Sequence, residues 1–154
     1  MVEDWIDTLV KVWEIDDGKG QTVRSYRLFE RDEFPDVVPL DRPSALSFIE
    51  DVSISYSQGG PNLAFWRGST EFNLTPDLNR SRVPYVLKFY RRIIVAAAAN
   101  LKLGGLAGIE HFILLPDSTV SGPEVLKYGD QTPHLGLVAR WEVKERFTGL
   151  VVAA

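Results

Sequence analysis

The chain contains no cysteine, one methionine and two histidines among its 154 residues. The lack of thiols excludes disulfide frameworks, thiolate zinc sites and cysteine nucleophiles together. With only His111 and His134 available, a metal site would need carboxylates from distant segments, and no ligand spacing points to one. Both histidines are therefore expected to be structural, and no metal or cofactor is expected. The longest apolar run, Ile93 to Ala99, is far shorter than the ~20 residues a membrane helix requires, so no membrane partner is expected.

Strong charge of one sign is also missing. A net charge of −4 argues against a broad phosphate-binding face, and the cluster Arg80, Arg82, Arg91 and Arg92 reads most simply as a solvated helix start. The first thirty residues carry Glu3, Asp4 and Asp7 and no basic region ahead of an apolar core, so synthesis in the cytoplasm without a secretory signal is expected.

Signatures of catalysis are equally sparse. Ser53, Ser55 and Ser57 share one strand face, but none stands in a G-x-S-x-G elbow. Asp16-Asp17 and Glu50-Asp51 are neighbouring carboxylates, yet adjacent strand residues point to opposite faces and cannot share a proton.

What is present is an ordinary globular composition, 45% hydrophobic and 25% charged, in a length that suits one domain spanning 1–154. Val2 to Ile15 places Trp5, Leu9, Val12 and Trp13 on one stripe at helical spacing, and predicts an amphipathic helix. Turn formers follow at 16–20, and Gln21 to Phe29 reads as a strand. Three prolines between Phe34 and Pro43 predict an extended loop.

A long hairpin is predicted over about 45–75. Leu46, Phe48, Val52, Ile54 and Tyr56 alternate with Ser47, Asp51, Ser53, Ser55 and Ser57, with Glu50 alone out of place. Gln58-Gly59-Gly60-Pro61-Asn62 supplies the reversal, and the second strand sets Trp66, Phe72 and Leu74 against Arg67, Glu71 and Asn73.

Pro84 suits the first turn of a second helix, in which Leu87, Tyr90, Ile94, Ala98 and Leu101 form a stripe flanked by Val86, Phe89, Ile93 and Ala97. The glycines of "LKLGGLAG" follow this helix. A phosphate site of the strand-glycine-helix kind needs glycines before a helix, where free N–H groups meet the anion. Gly104 is therefore expected to be a left-handed C-cap. Ile109 to Leu115 is a short strand, about 116–133 a long loop, and Leu135 to Arg146 a final alternating strand. The order implies an α+β fold: a mostly antiparallel sheet with a long hairpin, packed against two α-helices on one face.

The runs "FYRRIIVAAAANLKLGGLAGIEHFILL" and "GPEVLKYGDQTPHLGLVARWEVKE", with the hairpin "ISYSQGGPNLAFWRGSTEFNL", resemble tail terminator and minor tail proteins of long-tailed bacteriophages and prophages. The likeness covers roughly Ser44 to Thr148 and lies in pattern and element order. It implies a virion structural protein of the tail or neck, assembled in the host cytoplasm, with no enzymatic step. Its subunits would close into a ring, typically a hexamer, on the head-proximal end of the tail tube. The implied partners are further copies of the chain, the tail tube protein and the head–tail connector protein, with DNA only as passing cargo. Sheet edges of neighbouring copies are expected to pair across the interface.

Candidate interface residues are Gln58, Gly59, Gly60 and Asn62 at the hairpin tip, Trp66 beside it, and Lys127 and Tyr128 in the loop from Ser118 to Thr132. Arg67, Arg80 and Arg82 are expected to pair with acidic groups on a neighbour. Three other readings stay open: a head–tail neck or completion protein of the same particle, a small-ligand binding module whose pocket is lined by Trp5, Trp13, Trp66 and Trp141, and an enzyme with dispersed catalytic residues.

Overall fold

A computed structural model describes residues 2–26, 43–57, 59–115, 120–128 and 132–147. The order is α1 (Val2–Val12), β1 (Arg24–Tyr26), β2 (Ser44–Ser55), β3 (Asn62–Thr75), α2 (Val83–Ala98), β4 (Ile109–Leu114), β5 (Val120–Leu126) and β6 (His134–Phe147). Short 3₁₀ turns at Arg80–Arg82 and Leu103–Gly105 flank α2. Apart from Pro43, the proline-rich segment lies outside the described residues.

The fold is α+β: a mixed six-stranded sheet with two helices. Its order is β1-β2-β3-β6-β4, and β5 also pairs with β6. Only β1 and β2 are parallel. β6 is the spine, because β3 follows it from Asn62↔Phe147 to Thr75↔Leu135 while β4 and β5 lie end to end along its other side. The hairpin β2–β3 is thus part of the sheet body, with β3 paired on both sides.

Alternation along β6 sets the layers. Leu135, Leu137, Ala139, Trp141 and Val143 are buried with Trp5, Leu9 and Trp13 of the α1 region and Val86, Phe89, Ile93 and Ala97 of α2. Each large side chain buried this way contributes about 1.5–3 kcal/mol relative to exposure. The rings interlock edge to face, with Trp13 5.4 Å from Phe72 and Trp5 6.1 Å from Trp141.

Four local expectations are corrected. The first helix ends at Val12, although Trp13 and Ile15 still pack into the core. The second helix turns the stripe Val86, Phe89, Ile93 and Ala97 inward, so that Leu87, Ile94 and Ala98 face outward, and Leu101 is exposed beyond its end. Gly104 does have a left-handed φ of 72°, but α2 has already ended at Ala98; its C-cap is Ala99, and the Asn100 amide donates to the Ala96 carbonyl at 2.7 Å. The expected loop at 116–133 contains β5, whose Gly122-Pro123 interrupts the ladder between Ser121 and Glu124. Proline is tolerated there because it stands at an irregularity in a strand paired on one side only.

Glu50, the residue out of step in the alternation, occupies a β-bulge. Ile49 pairs with Gly68 and Asp51 with Arg67, which leaves Glu50 as the extra residue. The bulge swaps the faces of the strand. Leu46 and Phe48 point away from the helices into a second small cluster with Leu126, Tyr128 and Val138, whereas Val52 and Ile54 lie opposite Trp66 and Ala64 on the helix-bearing side.

Gly68 makes one of the sheet's close approaches possible. A Cβ there would meet the Phe48 carbonyl oxygen and lie 2.6 Å from the Trp141 ring. Gly68→Ala is therefore expected to lower unfolding free energy by about 1–3 kcal/mol, the usual cost of overpacking a closed core, in urea denaturation followed by tryptophan fluorescence. An unchanged midpoint would show that the β2 backbone at Phe48 and the indole can both give way.

Candidate assembly surface

The residues singled out by the sequence do not converge. Gln58 lies outside the described residues. Gly59 and Gly60 form the exposed hairpin turn, Gly59 with a φ of 73°, and Asn62 closes the turn by accepting from the Ser57 N–H at 3.2 Å. Gly59 and Gly60 line an open groove of about 820 Å³ together with Pro61, Ala107, Gly108, Arg146 and Phe147. Trp66 lies on the helix-bearing side, its ring 5.7 Å from Trp5, and its indole N–H donates to Glu145 at 3.2 Å. Lys127 is exposed just beyond β5. Tyr128 is buried, donates its hydroxyl to Glu71 at 2.8 Å and accepts from the Asn73 amide at 3.1 Å.

The arginines are largely engaged within their own chain. Arg67 donates from Nε to Glu142 at 3.1 Å, and Arg82 bonds Asp77 at 3.1 Å. The Asn79 backbone N–H and the Arg82 guanidinium hold the Asp77 carboxyl below its ordinary value. Arg92, from the expected basic cluster, donates to the Asp16 carbonyl at 3.0 Å and closes over Gly18. Arg80 is exposed in the 3₁₀ turn.

The sheet face away from the helices carries a ladder of paired charges at the end near the hairpin turn. Glu142 receives Arg67 on one oxygen and His111, at 3.0 Å, on the other. Glu110 bonds Lys144 at 2.9 Å, which with Arg146 and His111 keeps its carboxyl below the usual range. Cross-strand pairs of this kind set register and keep the face hydrated. Each carboxylate here is bonded to a cation, an arrangement that favours a stable surface over proton transfer. Among the described residues no three His, Asp or Glu side chains gather as a metal site. No described helix is long and apolar enough to cross a membrane. Trp5, Trp13 and Trp141 are packed core, and in the alternative reading of a four-tryptophan pocket that space is filled by the rings themselves.

Uncovered apolar surface lies elsewhere, at both edges of the helix-bearing side. Beyond the bulge, Val52 is 43% exposed, Ile54 47% and Tyr56 77%. No described strand pairs with the outer side of β2 past Leu46. At the opposite edge, Ile94 of α2 is 38% exposed and Leu101, in the turn after it, 53%. Between this stripe and β4 runs an apolar groove of about 220 Å³ lined by Ile94, Ala97, Ala98, Leu101, Ile113 and Leu114. The sequence carried a signal for both surfaces: the stripe at 87, 94, 98 and 101, and the alternation at 52, 54 and 56. What it lacked was any indication that these apolar positions stay uncovered.

Two stability effects follow. Tyr128→Phe removes the hydroxyl joining Glu71 and Asn73, with an expected loss of about 1–2 kcal/mol in chemical denaturation and no change in oligomeric state. Burial pushes the His134 imidazole below the ordinary histidine value of 6.5. As pH falls through about 6.5 the unfolded chain takes up this proton first, so stability drops from there until folded His134 itself protonates. His134→Gln is expected to flatten that part of a Tm-against-pH profile; an unchanged slope would assign it to other groups. No family model matches the chain, and no curated protein matches it in sequence.

Proposed function

We propose that the chain is a structural subunit of a phage tail or neck, a tail terminator-like protein that joins copies of itself into a ring, typically a hexamer, at the head-proximal end of the tail tube. The observation that carries the reading is apolar surface left uncovered at two separate edges of one sheet face. Contiguous apolar surface on a stable domain marks a place where a protein partner docks. The resemblance of Ser44 to Thr148 to tail terminator proteins supplies the kind of assembly.

The function so read is geometric. A head-to-tail contact whose rotation divides a full turn closes on itself, and the closed ring has no lateral edge left to recruit further copies. Growth of the tube then stops, and the ring offers its other face to the head–tail connector. DNA is cargo in the channel, where a chain of net charge −4 would not hold phosphate tightly. The assembled location is the virion, and no covalent step is needed.

The test is negative-stain microscopy and light scattering of the purified protein, alone and mixed with tail tubes of the phage or prophage that encodes it. Annular oligomers seated on one end of the tubes are the expected result. Monomers that leave both tube ends bare would overturn the reading.

A further inference from the structure

We infer that the outward face of α2, centred on Arg91, receives the acidic segment 32–41 of a neighbouring copy. The inference rests on the ring reading and names the two surfaces that join one subunit to the next.

Charge is the first support. Between Asp77 and Glu110 the chain holds six of its 17 basic residues and none of its 21 acidic ones, although the whole carries a net charge of −4. Two of the six are engaged within the chain, Arg82 with Asp77 and Arg92 with the Asp16 carbonyl. Arg80, Lys88, Arg91 and Lys102 are exposed and have no ion pair or side-chain hydrogen bond among the described residues. On a helix, Leu87, Lys88, Ile94 and Val95 fall on the same side as Arg91, three and four residues away. Leu87 is 46% exposed and Val95 55%. A face that interleaves free cations with large apolar side chains fits a ligand that is acidic and apolar together; a phosphate backbone alone would leave the apolar residues in water.

The chain carries such a ligand. Segment 32–41 reads "DEFPDVVPLD", with four carboxylates, no cation, and Phe34, Val37, Val38 and Leu40 between them. Pro35 and Pro39 favour an extended course at ~3.1 Å per residue, so that 36–41 covers roughly 15 Å. The helix face from Leu87 to Ala98 is of similar length, roughly 17 Å at 1.5 Å per residue.

Position assigns the segment to a different copy. It lies outside the described residues, within the stretch 27–42 that leaves β1 at Tyr26 and returns at Pro43. The Pro43 carbonyl accepts from the Arg24 N–H at 2.9 Å, so both ends of the stretch are fixed at the β1–β2 edge. α2 packs on β4, β5 and β6, toward the other edge of the sheet. Between them stands α1, which packs beside β1, and the turn after it, where Arg92 donates to Asp16 and Lys19 covers the Tyr85 ring. A segment at one edge that fits a helix toward the other makes a heterologous contact, which each added copy repeats in the same sense. A ladder across the β4 edge would by contrast have to displace the turn after α2, whose Leu101 carbonyl accepts from the Phe112 N–H at 2.6 Å.

Charge reversal tests the contact. Arg91→Glu and Asp36→Arg should each weaken association at least ~10-fold in sedimentation equilibrium at low salt, with far-UV circular dichroism unchanged. Their 1:1 mixture and the double variant should both recover, because opposite charges then meet at every contact of an alternating or a uniform ring. Lys88→Glu, on the same face, repeats the test if Arg91→Glu disturbs the helix. Parent-like association of the single variants, or a mixture no better than either alone, would overturn the contact; rings still seated on tail tubes would then leave the ring reading standing. In a chain without cysteine, Val38→Cys and Val95→Cys separate a neighbour's segment from the chain's own. A short bis-maleimide should join the two single variants to each other more strongly than either to itself. Crosslinks confined to one chain of the double variant would overturn the contact in favour of an internal cover. Unchanged association with loss of tube or DNA binding in Arg91→Glu would give the face to another partner and overturn it as well. Monomers at every concentration that leave tubes bare would overturn both the contact and the ring.

Discussion

The contact between Gly68 and Trp141 ties several elements of the fold together. The two residues pair across β3 and β6, and the absence of a side chain on one leaves the space that the indole of the other fills. From there Trp141 reaches Trp5 of α1 and Phe112 of β4, and its N–H donates to Thr70, whose hydroxyl is bonded to Ser47 of β2 at 2.8 Å. A helix, four strands and a chain of satisfied buried polar groups thus meet at one ring. Buried networks of this kind specify a single arrangement because any slip leaves a donor or acceptor without a partner. A one-residue shift of β3 against β6 would also place a side chain at 69 or 67 under the indole, so register and packing are decided together.

With that registry in place, the bulge at Glu50 determines what the sheet shows to the outside. It turns Leu46 and Phe48 to the far face, where Tyr128 and Leu126 cover them, and turns Val52 and Ile54 to the helix-bearing face beyond the helices' reach. Glu50 is itself held by the Ser69 hydroxyl at 2.8 Å. Across the molecule, α2 carries apolar residues on more of its circumference than one sheet face can absorb. Val86, Phe89, Ile93 and Ala97 are buried, and the surplus at 87, 94 and 95 remains outside, with Leu101 exposed just beyond the helix. One extra residue in a strand and one extra stripe on a helix account for both exposed apolar surfaces.

Several charged residues of the sheet are paired within the chain. Arg67, His111 and Glu142 bridge β3, β4 and β6, and Glu110 with Lys144 repeats the arrangement one row further along. The intrachain partner of Arg67 could not be read from the sequence because Glu142 stands 75 residues away. Tyr128 looked like a loop aromatic for the same reason: Glu71 and Asn73, which hold its hydroxyl, lie on a strand far back in the chain. Linear distance hides such pairs, whereas the three residues of a 3₁₀ turn at Arg80–Arg82 are visible locally but say nothing of what faces them.

Periodicity carried the α+β class, the two helices, the long hairpin and the last strand, because repeats of 2.0 and 3.6 residues are properties of the local chain and need no neighbour to be read. The strand at Val120–Leu126 escaped that reading, since Gly122-Pro123 breaks the local pattern and only pairing with β6 makes the segment a strand. The choice between two apolar stripes on α2, the change of face at Glu50 and the intrachain partners of Arg67 and Tyr128 were likewise decided by tertiary structure. In each of these a residue's surroundings are set by segments distant in sequence. A pattern along one strand or helix states which residues share a side, but the direction that side faces is determined by whatever packs against it.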